Sequence, residues 1–217
     1  MTDIHKPHPL YRNTERKWAE AFIEEGELLF RPLTYFRELE EPRGDKHEGR
    51  HIIDAAGTTI EIWDEKIKAY VAPIKIVSGQ FTDSLTRPDC CFIKCFSDVP
   101  QLEFGPATIE IFDVHGFFAG LRVVFAKQLG VELKFSQVNY YDPIEQASLP
   151  EIPTELAFYK RCCFQVQREF RFVFYLNGVT RNMLLETCEK TNPSYSETLK
   201  NSLKMRVGNL TEFARIM

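Results

Sequence analysis

Apolar positions along the chain follow two periods, and the switches between them mark out the elements. From Glu15 to Glu25, the positions Trp18, Ala21, Phe22 and Glu25 fall at helical spacing, which predicts an amphipathic helix capped by Asn13 or Thr14 and closed by Gly26. Val114 to Gln128 predicts a second helix: Phe117, Leu121, Val124, Phe125 and Leu129 share a face, with Asp113 as N-cap and Gly130 as C-cap. Between and after them the period drops to two. Strands are expected at Leu28–Phe30 (ended by Pro32), His51–Asp54, Thr58–Trp63, Tyr70–Val77, Cys90–Phe96, Thr108–Phe112, Val131–Tyr141 and Lys204–Val207. Pro73 assigns its strand to a sheet edge. Short helical pieces are expected at Thr34–Leu39, at Thr154–Lys160 and from Leu210. Glu40–Arg50 reads as a charged loop.

The most ordered pattern is Phe164–Tyr175, read as one long strand closed by an Asn177-Gly178 turn, with Met183–Leu185 returning. Alternation puts Phe164, Val166, Arg168, Phe170, Phe172 and Phe174 on one face and Gln165, Gln167, Glu169, Arg171, Val173 and Tyr175 on the other. The polar row has two readings. It is a solvated face, or it points into a cleft and does chemistry there.

No repeat and no Gly-, Ser- or Pro-rich linker divides the 217 residues. The expectation is therefore a single α+β domain over 1–217, strand-rich with a few helices, residues 1–9 being a flexible lead-in. Eighteen Phe favour strand packing over a helical bundle. A net charge of −4 gives no general attraction to nucleic acid or anionic membrane. No apolar run approaches the ~20 residues of a membrane span, and no export signal opens the chain, so a reduced cytoplasmic protein without membrane contact is expected. The six Cys (90, 91, 95, 162, 163 and 188) read as small buried hydrophobes rather than metal ligands.

His47-Glu48-Gly49-Arg50-His51 satisfies H-E-x-x-H, the zinc-hydrolase spacing that sets two imidazoles on one helical face. Gly49 within it, and the strand-like Ile52-Ile53 after it, favour a loop entering a strand, and no metal is assigned. Arg43-Gly44-Asp45 is a chance tripeptide, and no phosphate-binding glycine loop or nucleophile elbow occurs. The remaining constellation is Gln167-x-Glu169, about 7 Å apart on one strand face, with Tyr11-Arg12 ahead of the first helix. A carboxylate so placed can bond a ribose hydroxyl and stabilise an oxocarbenium ion, while an arginine grips a pyrophosphate with two parallel bonds.

These residues resemble the ADP-ribosyltransferase superfamily, one branch of which places an Arg on its first strand and a Q/E-x-E pair on a late one. More closely, Leu10-Tyr11-Arg12, Gly26-Glu27-Leu28-Leu29-Phe30, Asp45-Lys46-His47-Glu48-Gly49, Cys95-Phe96-Ser97 and Glu169-Phe170-Arg171 are similar to the L-Y-R/K, G-x-L-x-F, D-x-x-E-G, C-F-S and E-F-R motifs of a group of bacterial domains. The resemblance implies a split-sheet ADP-ribosyltransferase-like fold with split antiparallel or mixed sheets, and NAD+ as substrate. It implies Glu169 as catalytic glutamate, Gln167 on the acceptor side and Arg12 as the cofactor-gripping arginine. Tyr11, Arg31, Tyr35 and Ser97 join the cofactor site, although no S-T-S triplet accompanies Ser97. The implied acceptor is a nucleic acid or a protein, and relatives acting as toxins in toxin–antitoxin or phage-defence systems imply an inhibitory antitoxin partner. Two readings stand beside this one: a non-catalytic protein-binding module using the cleft or the edge near Pro73, and a zinc hydrolase using His47, Glu48 and His51.

Overall fold

The computed structural model describes residues 8–38, 51–54, 59–60, 63–64, 66, 68–70, 74–75, 80–83, 89–142, 150, 152–177 and 202–217. The chain opens with strand β1 (Leu10–Thr14), helix α1 (Arg16–Glu25), strand β2 (Glu27–Pro32) and helix α2 (Leu33–Glu38). Gly26 makes the switch from α1 to β2: its φ of 64° is left-handed, and a Cβ there would lie 2.0 Å from the Gly208 carbonyl. Neither Asn13 nor Thr14 caps α1, contrary to expectation; the N-cap is Glu15, which makes no side-chain cap bond. Asn13 is a strand residue occupied elsewhere, donating to Thr108 Oγ1 (2.8 Å) and Gly105 O (3.2 Å) and accepting from Gln101 N (2.8 Å).

Three nested antiparallel ladders follow: β3 (His51–Asp54) with β8 (Gln80–Asp83), β4 (Thr59–Ile60) with β7 (Ile74–Lys75), and β5 (Trp63–Asp64) with β6 (Ala69–Tyr70). The expected strands Thr58–Trp63 and Tyr70–Val77 thus each contribute two short ladders. Then come β9 (Cys91–Ser97), a 3-10 turn (Leu102–Phe104), β10 (Ala107–Ile111) and helix α3 (Val114–Leu129). The Asp113 carboxylate caps α3 by accepting from Gly116 N at 2.9 Å, and Gly130 closes it in the left-handed conformation. Asp113→Ala is expected to lower the unfolding free energy by about 1 kcal/mol, read from urea unfolding curves.

The chain continues through β11 (Lys134–Gln137), β12 (Asn139–Tyr141), α4 (Pro153–Leu156), β13 (Tyr159–Arg161), a 3-10 turn (Cys162–Gln167), β14 (Glu169–Tyr175), β15 (Leu203–Arg206) and β16 (Ala214–Ile216). The expected strand Val131–Tyr141 breaks at Val138, whose N–H donates to Glu169 O while β12 leaves to pair in parallel with β13. The helix expected over Thr154–Lys160 stops at Leu156, because Tyr159–Arg161 is needed for that pairing. The helical turn expected from Leu210 is short; Ala214–Ile216 instead pairs with β10. The Asn177-Gly178 hairpin, Met183–Leu185, Cys188, Pro73 and the Arg43-Gly44-Asp45 tripeptide lie outside the described residues in whole or in part.

One antiparallel sheet organises the protein, in the order β11-β14-β9-β1-β10-β16, with β2 also on β9 and β15 on β2. Its inner face packs on α1 and α3. Phe174 touches Phe30, Phe92 and Phe125 at 5.0–5.4 Å between ring centres, and Phe172 meets Phe96, Phe117 and Phe135 at 4.6–5.6 Å. These offset and edge-on contacts add to the apolar area buried. On the outer face a smaller cluster joins Cys91, Ile93 and Val173 to Leu33, Ala157 and Phe158.

The long strand expected over Phe164–Tyr175 is half strand. Its sheet partners run out: Ser97 of β9 pairs with Glu169, and Gln137 of β11 with Phe170. With no neighbour to complete the ladder, Cys162–Gln167 coils, and Arg168 turns the chain at φ 46°, ψ 48°. The Arg168 guanidinium holds that turn through an ion pair to Asp98, Nη2 donating to Oδ2 at 2.7 Å with Nε 2.7 Å from Oδ1. Phe164, Val166 and Arg168 therefore do not share a strand face with Phe170, and Gln165 and Gln167 do not share one with Glu169. From Glu169 onward the expected alternation holds.

Candidate functional site

The site lies where the sheet divides. One edge of β9 is fully paired with β14. On the other edge β2 pairs with Phe92 and Ile93, β1 pairs with Ser97, and Lys94, Cys95 and Phe96 face a notch between them. A main-chain carbonyl left open there needs another donor. Arg12 supplies it, reaching from β1 to donate from Nη1 to Cys95 O at 2.7 Å.

The notch is a cavity of about 290 Å³. Every residue that the ADP-ribosyltransferase resemblance implies for the site lines it: Tyr11 and Arg12 from β1, Arg31 from β2, Tyr35 from α2, Ser97 from β9, Gln167 from the 3-10 turn and Glu169 from β14. Arg31 lies over Tyr35, its Cζ 4.4 Å from the ring centre. Tyr11 donates to Glu110 Oε1 at 3.3 Å, and Glu110 also accepts from Arg215 Nε at 2.6 Å. Ser97 Oγ accepts from Val99 N at 3.3 Å.

Gln167 and Glu169 converge, but not by strand alternation. Lys160, only 2% exposed, donates from one Nζ to Gln167 Oε1 (2.6 Å) and Glu169 Oε1 (2.7 Å). Arg171, fully buried, takes the other Glu169 oxygen: Nε and Nη2 are both 2.8 Å from Oε2, while Nη1 donates to Ala157 O at 2.6 Å. Burial alone would raise the Glu169 pKa, but the Arg171 and Lys160 charges and their hydrogen bonds outweigh it and hold the carboxyl at about 2. Glu169 N donates to Tyr140 Oη at 2.8 Å; burial pushes that phenol up to about 12. Gln101 fixes the turn from the other side, its Nε2 donating to Gln167 O at 2.8 Å. The polar row is thus neither a solvated face nor wholly a cleft face: Gln165 is exposed, Gln167 and Glu169 reach the notch, and Arg171 is sealed behind them.

Three members of this arrangement escaped the sequence reading: Lys94, Lys160 and Gln101. Lys94 carried a signal, being the one charge in the apolar run Cys90–Phe96. Lys160 and Gln101 reach their partners through turns whose geometry no periodicity encodes.

His51 opens strand β3 rather than lying on a helix, so the helical face on which H-E-x-x-H depends is not present at that residue; His47 and Glu48 lie outside the described residues. Among the described residues no three His, Cys, Asp or Glu side chains converge, and no helix is long and apolar enough to cross a membrane. Neither a protein-family model, nor a curated protein, nor a solved structure matches the chain.

Proposed function

We propose that the notch binds a dinucleotide and that the chain is an ADP-ribosyltransferase-like enzyme using NAD+ as substrate and a nucleic acid or protein as acceptor. The observation that carries this reading is the meeting of Arg12, Arg31, Tyr35, Ser97, Gln167 and Glu169 around one cavity, although they come from five separate elements and the 3-10 turn's end. In this reading Arg12 and Arg31 face the phosphates and the Tyr35 ring offers a stacking surface. Glu169, ionised at any physiological pH, stands against the nicotinamide-bearing ribose. The glycosidic bond breaks with its electron pair leaving on nicotinamide. The acceptor nucleophile then bonds to the anomeric carbon and loses its proton to water or to a neighbouring base. A toxin role restrained by an inhibitor protein extends the same resemblance.

Labelled NAD+ incubated with the protein and a cell extract is expected to yield labelled nucleic acid or protein. Arg12→Gln, which leaves the Lys160–Glu169–Arg171 cluster in place, is expected to cut the transfer at least tenfold. Label that stays in NAD+ with wild-type protein defeats the reading.

A second reading, a binding module without chemistry, is supported by one observation. Both Glu169 oxygens are already engaged by cations, and Arg12 and Arg31 add further positive charge, so the notch favours an anionic ligand more than a cationic transition state. NAD+ or ADP-ribose stabilising the protein in a thermal-shift assay, with no label transferred, selects this second reading.

A further inference from the structure

The chain buries two lysines near the notch and treats them in opposite ways. Lys160 has two acceptors at hydrogen-bond distance. Lys94 is 6% exposed and lines the notch, yet among the described residues no carboxylate, amide or carbonyl oxygen accepts from it. Its nearest partners are ring faces: Nζ lies 5.6 Å from the centre of Phe22 in α1 and 5.7 Å from that of Phe96. The charged and titratable groups around it are Arg12 from β1, Glu27 from β2 and Cys95 beside it on β9. Glu27 is held by Lys204 at 2.8 Å and Arg206 at 3.6 Å on β15.

A buried ammonium with no acceptor is strongly disfavoured, and the group responds by giving up its proton. Burial first, and the Arg12 charge second, hold the Lys94 pKa well below the ordinary lysine value. An apolar side chain would fill the same space between Phe22 and Phe96 without this cost, so the amine is a feature of the notch rather than of the core.

We propose that Lys94 is a proton-coupled anion receptor, whose amine takes a proton from solvent when a phosphate or diphosphate oxygen enters the notch and then donates to that oxygen. This rests on the reading of the notch as a ligand site, and it adds a residue and a mechanism to it. The balance is simple: amine plus proton gives ammonium, the proton comes from the buffer, and the anion supplies an acceptor and a counter-charge. Arg12 on the same cavity repels an ammonium when no anion is present and joins it around one when it is.

The test is calorimetry at pH 8 in two buffers of different ionisation enthalpy, with ADP, pyrophosphate and adenosine as probes. ADP and pyrophosphate are expected to bind wild-type protein with net proton uptake. Lys94→Met is expected to bind both at least tenfold more weakly and without uptake, while its affinity for uncharged adenosine is unchanged. Equal ADP affinity in the two proteins, an equal loss for adenosine, or wild-type binding without proton uptake each overturns the inference. The uptake measurement uses wild-type protein alone and survives a variant that fails to fold. ADP binding with proton uptake but no transfer from NAD+ removes the enzymatic reading and leaves this one. Transfer that Lys94→Met does not affect does the reverse.

Discussion

Glu169→Ala is expected to destabilise the protein by about 3–5 kcal/mol, the cost of removing one partner from a buried ion cluster. The reason is what stays behind. Lys160 and Arg171 are 2% and 0% exposed, and both reach this carboxylate. Lys160 would keep Gln167 Oε1 and Arg171 would keep Ala157 O, so each would retain a hydrogen bond, but both would lose the Glu169 carboxylate. Urea unfolding of the single variants and of Glu169→Ala combined with Lys160→Met checks this. The double variant is expected to be less destabilised than the two singles added together, because each removal relieves part of what the other leaves uncompensated. Strict additivity would show that the three side chains do not act as a unit. The same result governs any activity measurement at this residue: lost transfer in Glu169→Ala is informative only at a temperature where circular dichroism shows the variant folded.

The helix over Val114–Leu129 was legible because every local signal agreed. Asp113 and Gly130 bracket a single apolar face, and the observed helix runs from the residue after one to the residue before the other. The failures have a common cause, a pattern that continues after its structural partner has ended. Phe164–Glu169 alternates like the strand that follows it, but strand geometry needs a neighbouring ladder, and β9 and β11 stop at Ser97 and Gln137. Asn13 looks like a cap from its type and position, yet its amide is engaged by β10 and the turn before it, a contact across 95 residues of chain. The candidate site divides in the same way. Arg12, Gln167 and Glu169 could be picked from their types and order, and Tyr11, Arg31, Tyr35 and Ser97 followed from the resemblance, while Lys160, the second cation on Glu169, could not, since a turn brings it there. The split in the sheet, which makes the notch, depends on where two strands leave β9 and is invisible to any one-dimensional period.

Acid is expected to remove a defined part of the stability through the same carboxyl. Its folded pKa of about 2 lies below the ordinary value of 4.5, so between these values the unfolded chain binds a proton that the folded protein does not. Stability from this group is therefore complete above about pH 5 and is lost as the pH falls toward 2. The gap between the two pKa values corresponds to about 3 kcal/mol. The measurement is a difference between two proteins, so that contributions from the other carboxylates cancel. Unfolding free energies of wild-type protein and Glu169→Gln, taken from pH 7 to pH 2.5, should converge as the pH falls, because the variant has no carboxyl to titrate at this position. Parallel curves would mean that the Lys160–Glu169–Arg171 cluster does not hold the carboxyl ionised. The consequence for function follows from the same sign: above pH 5 the charge on Glu169 is constant, so any pH dependence of ligand binding near neutrality must come from another group.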